Sequence, residues 1–247
     1  MLPVHQSMTD ADLLEAYAPP DAADPFVRFN FVSTLDGAAT HGGTSGELGN
    51  EADQRIFALL RRFADVILVG AGTVRAEGYG GELLDGPAQD WRRARGLTAH
   101  PAVAVVSGSL GLEPDGPFLA ECPVRPLILT GPEAPEARRR RLEDAADVVV
   151  LEPGTTAAAI VGALSACGHR VIHSEGGPHL LGTFVAGDAV DSLCLTLDPR
   201  LAGGPARRIA VGETEPDLRR MALHHLLTED DALFLEYRRP APDRRPR

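Results

Sequence analysis

Two strand-to-glycine junctions carry the most legible chemistry in this 247-residue sequence. They are Val66-Ile67-Leu68-Val69-Gly70-Ala71-Gly72-Thr73-Val74 and Val171-Ile172-His173-Ser174-Glu175-Gly176-Gly177-Pro178. Glycine lets the backbone approach a ligand closely, and a helix that opens just after such a turn presents unpaired N–H groups and the positive end of its dipole. A pyrophosphate needs that arrangement. The first junction departs from the dinucleotide fingerprint G-x-G-x-x-G, because Arg75 stands at its third glycine position. Either junction alone can also be a tight turn. His173 and His179 flank the second, where a ring can touch phosphate or make one structural hydrogen bond. Asp36-Gly37 reads both as an ordinary turn and as part of a loop over a cofactor. Ser107, just after the apolar run Val103–Val106, is a candidate contact for a 2′-phosphate and hence for NADPH over NADH.

Composition removes several alternatives. The formal net charge is -11, and basic runs are confined to Arg138–Arg141 and a tail with Arg244, Arg245 and Arg247, which disfavours nucleic acid and anionic membranes as partners. All 24 basic residues are arginine, so a lysine Schiff base and a Walker A loop are excluded. Cys122, Cys167 and Cys194 are too scattered for a disulfide framework or a zinc cluster, so no metal is expected. With neither a signal peptide nor a span-length apolar run, a cytoplasmic protein is expected.

Strand and helix patterns alternate around the junctions. Residues 1–25 read as an N-terminal arm with a short helix around Asp10–Tyr17; residues 26–240 read as one domain and residues 241–247 as a disordered tail. Phe26–Val32 alternates as a strand and runs into a long Gly/Thr-rich loop, after which Asn50 caps a helix reaching to about Ala64. Strands are expected at Val66–Val69, Ala102–Val106, Leu127–Leu129, Asp147–Leu151 and Val171-Ile172, with a loop over Glu77–Thr98. Helices are expected near Pro135–Ala146, at Thr155–Cys167 and at Pro178–Val185. Ser192–Leu197, Met221–Leu227 and Ala232–Tyr237 follow without intervening helices, which predicts an antiparallel edge on a mostly parallel sheet.

Read in order, five strings resemble the riboflavin-biosynthesis pyrimidine reductase family, the RibD C-terminal domain, in its stand-alone actinobacterial-type subgroup. They are Ser33-Thr34-Leu35-Asp36-Gly37; Leu59 to Asp65 with Val69-Gly70-Ala71-Gly72-Thr73-Val74; Glu175-Gly176-Gly177-Pro178-His179-Leu180-Leu181-Gly182; Val190-Asp191-Ser192-Leu193; and Pro199 through Gly203-Gly204. The resemblance implies an α/β fold, dihydrofolate-reductase-like, with three α/β/α layers. It also implies a homodimer that reduces a ribosylaminopyrimidine phosphate with NADPH. By the same resemblance Thr34, Gly70, Gly72, Thr73, Glu175, Gly176, Gly177, Leu180 and Leu181 lie along the cofactor, while Ser45 and Arg61 face the substrate; Asp36, Ser107 and Pro178 are further cofactor-binding candidates by their places in the chain. Glu77 matches the family's acid after T-V-x-A and is a candidate for the catalytic site.

The departures bear on the substrate. Glu47 stands where the family carries Trp, and Ala76-Glu77-Gly78-Tyr79-Gly80 replaces A-D-D-P-x-L with its later arginine. Arg92, Arg93 or Arg95 is a candidate replacement for that phosphate contact. Asp53 falls where dihydrofolate reductases of this fold carry an acid: it can bind an aminopyrimidine edge and relay a proton, or it can serve as helix capping. Three functions therefore stand: the riboflavin-type reductase, a dihydrofolate-reductase-like reduction of a pterin, and a non-catalytic NADPH-binding protein.

Overall fold

A computed structural model describes residues 9–21, 23–212 and 217–240. The expected tail at 241–247 lies outside the described residues. In chain order the elements are α1 (Asp10–Ala16), β1 (Phe26–Thr34), α2 (Glu51–Arg61), β2 (Val66–Gly70), α3 (Ala71–Glu77), α4 (Gly86–Arg93), β3 (Ala102–Val106), α5 (Pro117–Glu121), β4 (Leu127–Thr130), α6 (Glu136–Leu142), β5 (Asp147–Val150), α7 (Ala157–Ala166), β6 (Val171–Ser174), α8 (Pro178–Ala186), β7 (Ser192–Asp198), β8 (Ala222–Glu229) and β9 (Ala232–Arg238). They build one nine-stranded sheet in the order β5-β4-β3-β2-β6-β1-β7-β9-β8. From β5 to β7 every pairing is parallel, and β9 runs antiparallel to both β7 and β8, as the missing helices in the last third implied.

Strands that read as continuous apolar runs are those buried on both faces. Val66, Ile67, Leu68 and Val69 are all fully buried, because alternate side chains enter different cores. Val66 and Leu68 pack with Phe29, Ile160, Leu164 and Phe184 under α7 and α8. Val69 packs with Val103, Val105, Ile128 and Leu142 under α3, α5 and α6. A third cluster joins Leu13 and Tyr17 of the N-terminal arm to Ile56, Leu59 and Leu60 of α2 and to Phe234 of β9, so the described part of the arm is anchored on the domain. The result is a three-layer α/β/α arrangement.

Two expectations need correction. Residues 77–98 are not a loop throughout, since α4 occupies Gly86–Arg93. Asp85 caps its Ala88 N–H, Pro87 sits in its first turn, and Trp91 packs edge-on against Phe63 at 5.4 Å; the helix is too short for its apolar spacing to announce it. The second correction concerns Arg92, Arg93 and Arg95. Arg92 is 1% exposed and binds the carbonyls of Arg62, Ala64 and Thr98; Arg93 pairs with Asp90, and Arg95 lies over Trp91. Arg92 is a buried structural residue, Arg93 and Arg95 lie on the exposed face of α4 and just after it, and none of the three lines the cavity described below.

Beneath α1 and α2 a polar row crosses the sheet. Arg28 of β1 is paired with Glu236 of β9 at 3.2 Å, both buried, and Glu236 also accepts from Ser192 and Arg238. Burial alone would raise the Glu236 pKa, but the hydrogen bond from Arg238 and the charge of Arg28 hold it below the ordinary range. Removing the carboxylate would leave a buried guanidinium uncompensated. Glu236→Ala is therefore expected to lower the unfolding free energy by about 3–5 kcal/mol in denaturant titration.

His173 and His225 lie on the same row, and burial pushes both down to about 4. They are neutral in the fold, whereas the unfolded chain protonates them near the ordinary histidine value of about 6.5. Their contribution to stability is thus complete above that value and is lost as pH falls toward 4. Melting curves should show His173→Leu flattening the acid side of the stability profile in that window. An unchanged slope would remove His173 from the effect.

Candidate active site

Because β1, β2, β3 and β6 are parallel, their carboxyl ends fall on one side of the sheet, the usual place for a ligand in an open α/β sheet. They open into a cavity of about 1090 Å³. The two glycine junctions of the sequence meet there as one structure. Gly70 N–H donates to the Gly176 carbonyl at 3.1 Å, and a Cβ on Gly177, whose φ is +102°, would lie 3.3 Å from Thr73 Oγ1 and 3.5 Å from Gly70 Cα. Glycine is required by this turn-on-turn contact. Both junctions then enter helices, α3 and α8, whose N-caps Gly70 and Gly177 lack side-chain caps. Leu180 in the first turn of α8 lines the cavity together with Gly72 and Thr73 of α3. Backbone N–H groups are thus available to an anion at the cavity wall.

Glu175, immediately after β6, is the most constrained group in the site. Its side chain is fully buried and is gripped by Arg61 of α2 through Nε–Oε1 at 2.5 Å and Nη2–Oε2 at 2.8 Å. Tyr79, just beyond α3, donates its hydroxyl to Oε2 at 2.6 Å. Burial alone would raise the Glu175 pKa, yet the Arg61 charge and hydrogen bonds hold it below the usual range, so it stays ionised. Arg61 Nη1 reaches the Leu83 carbonyl, and its guanidinium lies 4.5 Å over the Phe57 ring. The residues assigned to cofactor (Glu175) and substrate (Arg61) by resemblance are therefore bound to each other. Nothing in the sequence pointed to Tyr79 beyond its place in an altered motif.

Glu77 and Ser45 are also partners. Glu77 Oε1 accepts the Ser45 backbone N–H at 2.8 Å and its hydroxyl at 2.9 Å, which ties α3 to the long loop after β1. Asp53 sits on the cavity wall in the first turn of α2, where its N–H is capped by Asn50 and its Oδ1 accepts from Thr196 of β7 at 2.5 Å. Burial first, and the neighbouring Asp198 second, raise its pKa against the lowering effect of the Thr196 hydrogen bond. Asp198 is itself held low, mainly by Arg200. Asp53 is therefore inside the site and is itself capped.

Other assigned residues divide. Gly70, Gly72, Thr73, Ser107, Gly177, Pro178 and Leu180 line the cavity, as does His179. Gly176 does not; its missing Cβ would meet the Phe31 ring at 3.0 Å. Leu181 is core, 2% exposed beneath α8. Thr34 and Asp36 are likewise outside the lining. Thr34 bonds Asp36 and the Ala38 N–H, while Asp36 accepts from the N–H groups of Ala202 and Gly203 at 3.1 and 2.7 Å. These bonds, Thr34 first, draw the Asp36 pKa down to about 2. The S-T-L-D-G and P-x-x-x-G-G strings are thus two halves of one loop clasp. Glu47, in place of the family's Trp, is exposed near His41 and does not line the cavity.

Arg61→Met would leave the Glu175 carboxylate buried without its cation, and stability should fall by about 3–5 kcal/mol. Tyr79→Phe removes one hydrogen bond to a charged group, for which a loss of about 1.5–3 kcal/mol is expected in chemical denaturation. A Tyr79→Phe loss indistinguishable from zero would show that the hydroxyl does not support the ion pair.

The model of the RibD C-terminal domain family matches residues 25–234. The chain is 29% identical over 220 residues, 86% of its own length and 97% of the relative's, to a Methanothermobacter thermautotrophicus protein named 2,5-diamino-6-ribosylamino-4(3H)-pyrimidinone 5′-phosphate reductase. It is 28% identical over 187 residues to the riboflavin biosynthesis protein RibD of Mycobacterium tuberculosis, a match that covers 75% of this chain but 45% of that protein. A solved pyrimidine reductase-like protein from Corynebacterium diphtheriae superposes with a TM-score of 0.80 at 27% identity, covering 93% of this chain and 99% of that one. With the five strings, the sheet and the family match in agreement over the same residues, the chain belongs to the RibD C-terminal domain family.

Proposed function

We propose that this chain is an NADPH-dependent reductase of riboflavin biosynthesis that acts on a diaminopyrimidinone ribosylamino phosphate. The observation that carries the reading is the joined glycine turn, which faces one cavity shared with Asp53, Arg61 and Glu175. A nicotinamide cofactor fits the donor set: uncapped helix starts at α3 and α8 suit a pyrophosphate, and the buried Ser107 hydroxyl has no partner among the described residues.

When bound, such a cofactor supplies the hydride. The chain's own groups then orient and protonate. The Glu175–Arg61–Tyr79 cluster would hold one wall of the cavity rigid against a bound cofactor, and the Glu77–Ser45 bonds tie α3 to the long loop after β1 that also lines it. Asp53 keeps its proton to a higher pH than an exposed carboxyl, and its Oδ2 accepts no hydrogen bond among the described residues. It can bind an aminopyrimidine N–H edge or give a proton as hydride arrives. That same carboxylate motivates a second reading, reduction of a pterin. Residues 26–240 acting as one reductase domain, a cytoplasmic setting and a homodimer belong to the proposal. Among the described residues no helix is long and apolar enough to cross a membrane.

The test is NADPH oxidation by the purified chain, offered the pyrimidine phosphate and dihydrofolate in parallel. Turnover of the phosphate is expected, and turnover of dihydrofolate alone would transfer the reading to pterin reduction. NADPH binding without oxidation by either substrate would leave a binding protein. Asp53→Asn is expected to lower kcat by about 10²-fold or more if the carboxyl carries the proton. Full activity in that variant would make Asp53 a cap only. A monomeric mass at micromolar concentration would contradict the homodimer.

A further inference from the structure

We propose that His224, His225 and Glu236 form a binding site for a divalent transition-metal ion of the zinc type, on the β8–β9 hairpin. None of the three lines the cavity, and such a site is independent of the reductase reading. The scatter of the cysteines does not bear on a site built from two imidazoles and a carboxylate.

Consecutive residues of a regular strand point to opposite faces. A register shift interrupts the β8–β9 ladder: Leu223 pairs with Tyr237 and His225 with Glu236, so His224 is an extra residue between them. Such a bulge re-aims a side chain. One ligand atom from each of His224, His225 and Glu236 lies within 4.8 Å of the other two, and His225 Nδ1 is 3.6 Å from Glu236 Oε2. Two ligands held tetrahedrally at zinc distances stand about 3.4 Å apart, so this pair already has the required spacing. His224 is exposed, and a rotation of its side chain closes the remaining gap.

The donor atoms suit a cation. Both His225 nitrogens are buried without a hydrogen-bond partner, and an orphaned buried group of this kind is explained by an ion that completes it. Burial pushes the His225 pKa down to about 4, which leaves the ring neutral, as a metal ligand must be. Glu236 brings the negative charge. Its Oε1 accepts from Arg28 Nη2, Ser192 Oγ and Arg238 Nε at 3.2, 2.6 and 2.8 Å, which fixes the orientation of the carboxylate. Among the described residues Oε2 accepts only from Arg238 Nη2, at 3.1 Å. That nitrogen also donates to the Ala18 carbonyl at 2.9 Å, so it keeps a partner when Oε2 turns to a metal. The two guanidiniums repel a cation and make the site weaker than a closed structural zinc centre. With His224 on the solvent side, water completes the coordination. The ring centroids of Tyr17 and His225 meet edge-on at 4.4 Å, so a bound ion would tie the N-terminal arm, β8 and β9 together.

The experiment titrates ZnCl₂, and CoCl₂ as a spectroscopic probe, into the tag-free, chelator-treated full chain and into His224→Ala and His225→Phe. The wild type is expected to take up one saturable equivalent at micromolar Zn²⁺, to melt at a higher temperature with it, and to give Co²⁺ the visible absorption of a four- or five-coordinate site. His224→Ala, a change at an exposed position, should weaken Zn²⁺ by more than about tenfold, the loss that even an outer-shell change typically produces. His225→Phe keeps a ring against Tyr17 and should abolish both the equivalent and the melting shift. Mg²⁺, which prefers oxygen ligands, should not compete. A wild type with no saturable equivalent overturns the site. So does an equivalent that both variants retain, because the ion then lies elsewhere on the chain, and so does displacement of Zn²⁺ by Mg²⁺, which would mark a patch of carboxylates. None of these readouts uses turnover, so failure of the site and failure of the reductase assay are separate results.

Discussion

Glu175 holds a negative charge where water does not reach it, and the geometry of the cavity follows from how that charge is neutralised. The carboxylate leaves β6 at the glycine turn; Arg61 comes from α2 and Tyr79 from beyond α3. Three segments far apart in sequence are thereby fixed at one point. An ionised buried carboxylate tolerates little displacement, since breaking either contact exposes it to a low-dielectric surrounding without compensation. The Gly70–Gly176 bond joins the same turn to β2, so the ion cluster and the glycine turns brace each other.

The second dependence runs through β1. Its end continues into Thr34 and Asp36, which clasp residues 202 and 203, and the Ala39 N–H bonds the Arg207 carbonyl. That segment then crosses α8, where the Val211 N–H meets the Pro178 carbonyl and a Cβ on Gly182 would fall 1.9 Å from the Val211 oxygen. Motifs that resemble ligand contacts when read as strings thus include several that are loop closures. Asp36 is an example, because its oxygens are engaged by backbone N–H groups outside the cavity.

The parallel part of the sheet was legible because strands buried on both faces leave long runs such as Val66–Val69, and Asn50 announced α2 through an ordinary cap. The glycine junctions were legible as backbone requirements, although their mutual contact was not. What escaped reading depends on distant partners. Arg92 looks like any surface arginine in sequence, yet it closes three backbone carbonyls inside the domain. Arg28 and Glu236 stand 208 positions apart, and alternation predicts an inward side chain at each without saying that two opposite charges meet there. Tyr79 reads as a lost motif position until Glu175 is placed beside it.

These contacts also bear on how the site can recognise a substrate. An arginine already bound bidentately to a carboxylate adds little net positive charge, so Arg61 is a weak attractor for a phosphate and a strong positioning group. The acids nearby, Asp53 and Glu77, differ in availability: both Ser45 bonds converge on one Glu77 oxygen and immobilise it, whereas Asp53 Oδ2 accepts no hydrogen bond among the described residues. A ring presenting N–H groups is therefore better matched to this end of the cavity than an anion is. Arg207, on the segment clasped by Asp36, also lines the cavity and has no ion pair among the described residues. An acid on α2, Asp53, and a cation on the loop after β7, Arg207, thus stand at different parts of the cavity lining, a division that the family's shared strings alone do not dictate.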